Sequence, residues 1–220
     1  MKLFKISVLL SIFLSVACKN KTISNQNILT GKYEIKKAII KTKISIPGFS
    51  EMNIQLLFDD YGRLHKQITN NIMTTGLGKD TVILYSLIQD DYIYTWDNTT
   101  NSGTSIHLSP DDEDIFNTGF NFKKIDNSLK EKYQLKEIGT KTIQGKNTTV
   151  YSLIINGNKL KYYIWKNIPL EFEIQLEDKT IQSKLVNIDE YPKFDKETFE
   201  VPKGITFEKE HQETAGIFGH

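Results

Sequence analysis

The stretch that decides the fold is YYIWKNIPLEFEIQLE, Tyr162–Glu177. From Leu170 onward, apolar residues alternate with charged or polar ones, which is the period of a β-strand with one buried and one solvated face. From Tyr162 to Trp165 every residue is apolar, which is typical of a strand that is covered on both faces. The stretch therefore predicts two strands whose surroundings differ.

The same two-residue period recurs along most of the chain, with turn-forming segments between its repeats. Strands are predicted over residues 32–47, 52–58, 64–69, 82–88, 92–96, 103–108, 149–155, 160–166, 170–176 and 181–188. Two short helices are predicted before residue 149, one starting at Ser109–Pro110 and one over 126–133. We therefore expect a mainly β (α+β) fold, a strongly curled antiparallel sheet or unclosed β-barrel of roughly ten or eleven strands with short helices as an inner lid.

The N-terminal segment has the three-part layout of a secretory signal. Lys2 and Lys5 form a basic start, an apolar run covers 6–14, and small residues lead to Cys18, the one cysteine of the chain. A single cysteine excludes an internal disulfide and a zinc site built from several thiolates. The sequence SVAC resembles the bacterial lipobox, which implies cleavage before Cys18 and a lipid anchor on its sulfur. The alternative is an ordinary secretory peptide that contains a cysteine.

These features divide the chain into consecutive parts. Residues 1–17 are predicted to be a lipoprotein signal peptide, and the polar segment 18–29 a flexible tether from the lipidated cysteine. Residues 30–207 are expected to form one half-barrel domain, because no internal repeat or change of composition marks a further boundary. The tail 208–220 is expected to be weakly structured.

Charge and motifs exclude several functional classes. The chain has 28 Lys+Arg and 27 Asp+Glu, a net charge of +1, which gives no overall attraction to nucleic acid. The sequence contains no dinucleotide fingerprint, no phosphate-binding loop and no nucleophile elbow, so we expect no cofactor and no enzymatic activity. Glu171 and Glu173 share one strand face at a spacing that a glycosidase pair can show, but a solvated strand face is the favoured interpretation. We predict no metal site either, because no zinc-protease pair occurs among the histidines, His65, His107, His211 and His220.

A series of ordered motifs resembles a known superfamily. The motifs are GKY at 31–33, LLFDDYGR at 56–63, YIWKNIPLEFEI at 163–174 and NIDEYPKFDKETFEVPKGI at 187–205. Together with the lipobox they resemble the LolA/LolB-like superfamily, especially the lipoprotein-sorting-protein relatives of Bacteroidota. The resemblance implies an unclosed β-barrel whose helical lid encloses an apolar cavity for the acyl chains of lipoproteins. Arg63 lies in a predicted turn and is not assigned the role of the carrier's key arginine.

A curled sheet of this size has an inner face that is either filled by side chains or open to a ligand. The candidates to line such a cavity are the large residues of the predicted strands, Phe58, Tyr85, Trp96, Tyr162, Trp165 and Phe172. The alternative for each is an ordinary place in the core.

The expected function is that of a lipid-anchored periplasmic protein that binds lipoprotein acyl chains or another envelope lipid. The alternative is a non-enzymatic partner-binding envelope module with a filled interior, such as a stress sensor or an outer-membrane assembly subunit. Lys19 follows the anchoring cysteine where an inner-membrane retention signal would have Asp, which favours the periplasmic face of the outer membrane. The expected partners are the membrane and an acyl chain, with no nucleic acid, and the protein is expected to be a monomer.

Overall fold

The structure is a computed structural model that describes residues 31–46, 50–75, 78–89, 92–107, 122–155, 157–176 and 179–210. These residues form twelve strands and one α-helix, α1 (Asn127–Lys132). Short 3-10 turns lie at Asp60–Gly62, Phe122–Lys124 and Lys196–Phe199. The strands are β1 (Ala38–Ile46), β2 (Ser50–Asp59), β3 (Leu64–Thr75), β4 (Gly78–Gln89), β5 (Tyr92–Asp97), β6 (Ser102–His107), β7 (Lys136–Ile143), β8 (Lys146–Ile155), β9 (Asn158–Trp165), β10 (Ile168–Gln175), β11 (Thr180–Asp189) and β12 (Thr206–Glu210).

All twelve strands belong to one sheet in the order β12-β6-β5-β4-β3-β2-β1-β11-β10-β9-β8-β7. Within the described residues the edge strands β12 and β7 do not pair with each other, so the curled sheet is unclosed. The predicted fold class is confirmed. One detail differs from the expected antiparallel sheet, because β12 runs parallel to β6.

Two strands, β7 and β12, were not predicted from the sequence, and neither shows a clear alternation of apolar and polar residues. β7 is exposed at every position except Ile143, so its sequence KEIGTKTI shows no alternation of buried and exposed residues. β12 is only five residues long and extends to Glu210, into the segment expected to be the tail. Short or fully exposed edge strands carry little hydrophobic periodicity, which is the signal that sequence analysis uses.

The helix α1 covers one face of the sheet, here called the helix face. Asp126 caps it, because its Oδ1 accepts a hydrogen bond of 2.8 Å from the Leu129 amide. Leu129 packs with the buried ring of Phe122 against apolar side chains of β1, β2 and β8–β11. The expectation of a helix over 126–133 that lies on the sheet is thus confirmed, while the helix expected from Ser109–Pro110 lies outside the described residues.

The strand predicted to be covered on both faces is β9. Tyr162 and Ile164 pack on the helix face, whereas Tyr163 and Trp165 belong to a second cluster that includes Phe58 and Leu185. All four residues from Tyr162 to Trp165 are buried, which confirms the prediction.

The connection from β11 to β12, residues 190–205, is here called the strap. In the sheet order, six strands (β1 to β6) lie between β11 and β12, so the strap must cross the sheet. Lys66 of β3 donates a hydrogen bond of 3.1 Å from Nζ to the Thr198 carbonyl, so the strap passes over the side of the sheet that Lys66 faces. Successive side chains of a strand alternate between faces, and the pairing registers place Lys66 on the face opposite α1, here called the outer face.

Candidate functional site

The helix face differs between the two halves of the sheet. Under α1 it is apolar, with Ile54, Tyr162 and Phe172 among its side chains. In the half formed by β3–β6 a row of uncharged polar residues continues across the same face. Leu56 of β2 pairs with Gln67 of β3, which places Gln67 on the helix face. Each residue of the row, here called the polar row, pairs with the next one on the neighbouring strand: Gln67, Ser86, Thr95 and Thr104.

The polar row is sheltered and does not project freely into solvent. Gln67, Ser86, Thr95 and Thr104 are half-buried. Gln67 donates a hydrogen bond of 3.2 Å from Nε2 to the Thr69 hydroxyl, which is buried. Neighbouring strands lie about 4.8 Å apart, so hydroxyl and amide groups recur at that interval across the face. An apolar surface that continues into uncharged hydrogen-bonding groups matches a molecule with both a hydrocarbon and a polar part.

His65 lies on the same face as the polar row, where the registers place it between Phe58 and Ile88. It is only 2% exposed, and its Nε2 has no hydrogen-bond partner among the described residues. Burial lowers the pKa of His65 well below its usual value of 6.5, and the charge of Lys32 lowers it further. The imidazole is therefore neutral at physiological pH.

The structure separates the sequence-predicted cavity residues into groups. Tyr162 and Phe172 meet on the helix face, with ring centroids 6.0 Å apart. Phe58 is fully buried in the second cluster against Tyr33, at 4.4 Å between ring centroids, and Trp165 belongs to that cluster as well.

Tyr85 and Trp96 stack on each other at 5.2 Å. Both lie on the outer face, because the registers place Ser86 and Thr95 on the helix face and the neighbouring residues opposite. The structure therefore does not bring Tyr85 and Trp96 to the helix face. Trp96 packs instead against Phe207 of β12, with ring centroids 6.0 Å apart.

The acidic face of β10 is not the freely solvated surface that its sequence indicates. Only 15% of the Glu171 side chain is exposed, and it forms an ion pair with Lys141. Tyr163 donates a hydrogen bond of 2.9 Å to Glu173, and burial followed by this bond raises the pKa of Tyr163 to about 12. Both carboxylates are thus held by neighbouring side chains, because the unusual strand β9 places Tyr163 on that face.

The polar row was missed because alternating polar residues in a strand are normally interpreted as its solvated face. Only the strand registers show that Gln67 and Thr95 share the face of Leu56, and pairing partners are not readable from one sequence. Cys18, His211 and His220 lie outside the described residues. Within the described part of the chain no cluster of His, Cys, Asp and Glu is arranged to hold a metal ion. None of the helices described there has the length and apolar character needed to cross a bilayer.

The fold and the site together define a class: a single unclosed β-sheet whose helix face combines an apolar half with a row of uncharged polar residues in the other half. No protein-family model matches the chain, and no curated protein has a similar sequence.

Similar solved structures exist at low sequence identity. PNGF-II is 12% identical with a TM-score of 0.45, over 80% of this chain and 32% of its own, so this chain spans about a third of it. The Pseudomonas aeruginosa MucA/MucB complex is 11% identical at 0.41, over 72% and 53%. A putative outer membrane lipoprotein-sorting protein domain from Vibrio parahaemolyticus is 13% identical at 0.33, over 77% and 92%.

Proposed function

We propose that this chain is a lipid-anchored, non-enzymatic protein of the bacterial envelope that binds the acyl part of a lipid or lipoprotein on its helix face. The observation that carries the proposal is the division of that face into an apolar half at Ile54, Tyr162 and Phe172 and a polar row at Gln67 and Thr95. Burying an acyl chain against apolar side chains is favourable by about 25 cal/mol per Å². The polar row supplies hydrogen-bond partners for the head of the same molecule.

The cellular placement belongs to the same proposal. Cys18 is the attachment point of a diacylglyceryl group, with a further acyl chain such as palmitate on its amine. The binding domain extends to Glu210, the end of β12. Lys19 favours the outer membrane, with the domain facing the periplasm. The motif resemblance supports an origin in Bacteroidota. The proposal also takes the protein to be a monomer.

Native mass spectrometry tests the binding function. The mature chain, residues 18–220 with Cys18→Ser, is purified and weighed before and after organic extraction. A reproducible extra mass that extracts as lipid is expected, and Phe172→Ala should reduce its occupancy severalfold. Tyr85→Ala is the matched control, because Tyr85 is aromatic but lies on the outer face. A clean apo mass that does not change when phospholipid or acylated peptide is offered would contradict the proposal.

A second candidate function is a partner-binding envelope module, and the dense filling under α1 favours it. Met52, Leu153 and Leu160 are at most 2% exposed and pack in one cluster with Phe122. If the apo mass is found, capture of an envelope protein by the same mature chain, followed by its identification, supports this second function.

A further inference from the structure

One end of the sheet, here called the tether end, gathers exposed aromatic and aliphatic side chains among basic ones. It consists of the segment 31–37 before β1, residues 59–64 around the turn between β2 and β3, the turn 166–167 between β9 and β10, and residues 189–193, where β11 leads into the strap. Two lysines that contact these segments, Lys123 and Lys146, belong to it as well. The chain enters the described domain here, at Gly31.

Backbone hydrogen bonds hold the parts of the tether end together. The Tyr33 amide donates to the Tyr61 carbonyl at 3.0 Å, and the Tyr61 amide donates to the Lys36 carbonyl at 2.8 Å. The Glu34 amide donates to the Lys166 carbonyl at 3.2 Å. Gly62 has a φ of +89°, and a Cβ there would lie 2.7 Å from the Tyr33 ring. The turn that presents Tyr61 is therefore closely packed against the entering segment, and its geometry is fixed.

Three large side chains project from this end into solvent. Tyr61 is 43% exposed, Leu64 is 40% exposed and Tyr191 is 86% exposed. Tyr191 follows Glu190, whose carboxylate pairs with Lys146, the first residue of β8. Tyrosine side chains have an apolar ring and a polar tip, and they are enriched where proteins meet the boundary between water and a bilayer.

Basic residues outnumber acidic ones at the tether end, although the whole chain carries a net charge of only +1. Two of the acidic residues are paired, Asp60 with Arg63 and Glu190 with Lys146. Lys166 is exposed and holds its Nζ 4.7 Å from the centre of the Trp165 ring. The acidic residues are Glu34, Asp59, Asp60, Asp189 and Glu190. The basic residues are Lys32, Lys36, Lys37, Arg63, Lys123, Lys146, Lys166 and Lys193.

We propose that the tether end binds the surface of an anionic phospholipid bilayer, with Tyr61, Leu64 and Tyr191 at headgroup depth and the lysines facing lipid phosphates. The inference rests on the proposed function in one respect: a lipid anchor at Cys18 brings the domain to a bilayer. Residues 19–30 reach about 40 Å when fully extended, and they join the domain at this end. The sequence before Gly31 contains two further lysines, Lys19 and Lys21.

Vesicle binding of an unacylated chain tests this surface without the anchor. Residues 18–220 with Cys18→Ser are floated with phosphatidylcholine vesicles and with vesicles that also contain phosphatidylglycerol. We expect binding only to the anionic vesicles, weakened by added salt because surface charges are screened. Lysines near an anionic membrane strengthen binding to it, so the triple variant Lys36→Glu, Lys37→Glu, Lys166→Glu should bind at least tenfold more weakly.

A second triple variant controls for the general repulsion between anionic vesicles and a protein that has become more negative. Lys130→Glu, Lys136→Glu, Lys159→Glu makes the same change of charge at exposed lysines of α1, β7 and β9 that lie away from the tether end. This control should retain binding to anionic vesicles. Tyr191→Ser, at a side chain that is 86% exposed, should weaken binding severalfold and leave the unfolding midpoint unchanged.

The proposal is overturned if the unacylated chain binds neither kind of vesicle, or if both triple variants lose binding equally. Its failure is distinct from failure of the proposed function. If native mass spectra show bound lipid but the chain does not float with vesicles, the lipid-binding function stands and the proposed membrane surface is wrong. If the chain floats with vesicles but its native mass spectra show no bound lipid, the membrane surface stands and the lipid-binding function is wrong. If protein isolated from the membranes of its own cells is not acylated at Cys18, the lipid anchor is contradicted, while the vesicle and mass-spectrometry results still decide the other two claims.

Discussion

The Glu171 carboxylate accepts a hydrogen bond of 3.2 Å from the backbone amide of Leu185, joining β10 to β11. The ladder between these strands covers Phe172–Gln175 and 180–183, so this bond lies just beyond its end. The pairing of β10 with β9 also shifts there, between Pro169 and Glu171. The Glu171 side chain thus accepts the hydrogen bond of the Leu185 amide, which lies beyond the β10–β11 ladder. Buried amides that lack a hydrogen-bond partner are rare and destabilising.

The first prediction concerns this bond. Glu171→Ala should lower the free energy of unfolding by about 1–3 kcal/mol, because it leaves the Leu185 amide without its partner. Urea denaturation of the mature chain measures the change. Glu200→Ala, at an exposed position of the strap, is the control and should alter stability by less than about 0.5 kcal/mol. Equal effects of the two substitutions would show that the hydrogen bond contributes nothing.

The second prediction is a loss of stability in acid that is caused by His65. Its folded pKa is depressed, so the unfolded chain takes up a proton that the folded chain does not. The stabilisation is complete above the unfolded value of about 6.5 and is lost as the pH falls from there toward the folded pKa. The slope of the unfolding free energy against pH approaches about 1.4 kcal/mol per pH unit for one such group.

Urea titrations of the mature chain at a series of pH values below 6.5 measure this slope. His65→Leu removes the titrating group and should flatten the curve, whether or not the variant is less stable overall. His107→Leu, at an exposed histidine, should keep the slope of the original chain. An undiminished slope in His65→Leu would assign the acid sensitivity to other groups.

The third prediction tests the packing under α1. Leu153→Ala removes a side chain that is 0% exposed in the helix-face cluster, and should cost about 2–5 kcal/mol of unfolding free energy. Val186→Ala is the control, because Val186 is 55% exposed, and it should cost less than about 0.5 kcal/mol. Thermal and urea unfolding of both variants measure the difference. A small effect of Leu153→Ala would mean that this part of the interior is not closely packed.

The fourth prediction concerns the polar row. The double variant Gln67→Leu, Thr95→Val removes hydrogen-bonding groups that lie across from the apolar half, so affinity for diacylglycerol should fall about tenfold. Isothermal titration calorimetry with short-chain diacylglycerol measures it. Gln175→Leu, Thr140→Val changes the same residue types at exposed positions and should bind as the original chain does. Equal affinity of all three proteins would remove the polar row from the site.

Local pattern was enough to predict the class of fold and the strand that is covered on both faces. Tyr162–Trp165 is apolar at every position, and the helix expected over 126–133 is present as α1. Pairing was not predictable, because the register between distant strands depends on contacts that no local period encodes. Tyr85 and Trp96 were therefore proposed as cavity residues although they lie on the outer face, and Gln67 and Ser86 were not proposed although they lie on the helix face.

The central claim, that an acyl chain lies on the helix face, is tested most directly by methyl NMR of the mature chain with labelled isoleucine. The helix-face methyls of Ile54, Ile174 and Ile181 should shift and show intermolecular contacts when a lipid is added. The methyls of Ile68, on the outer face, and of Ile143, in the second cluster, should not change. Lipid binding that leaves the helix-face methyls unperturbed and shifts Ile68 or Ile143 would contradict the account.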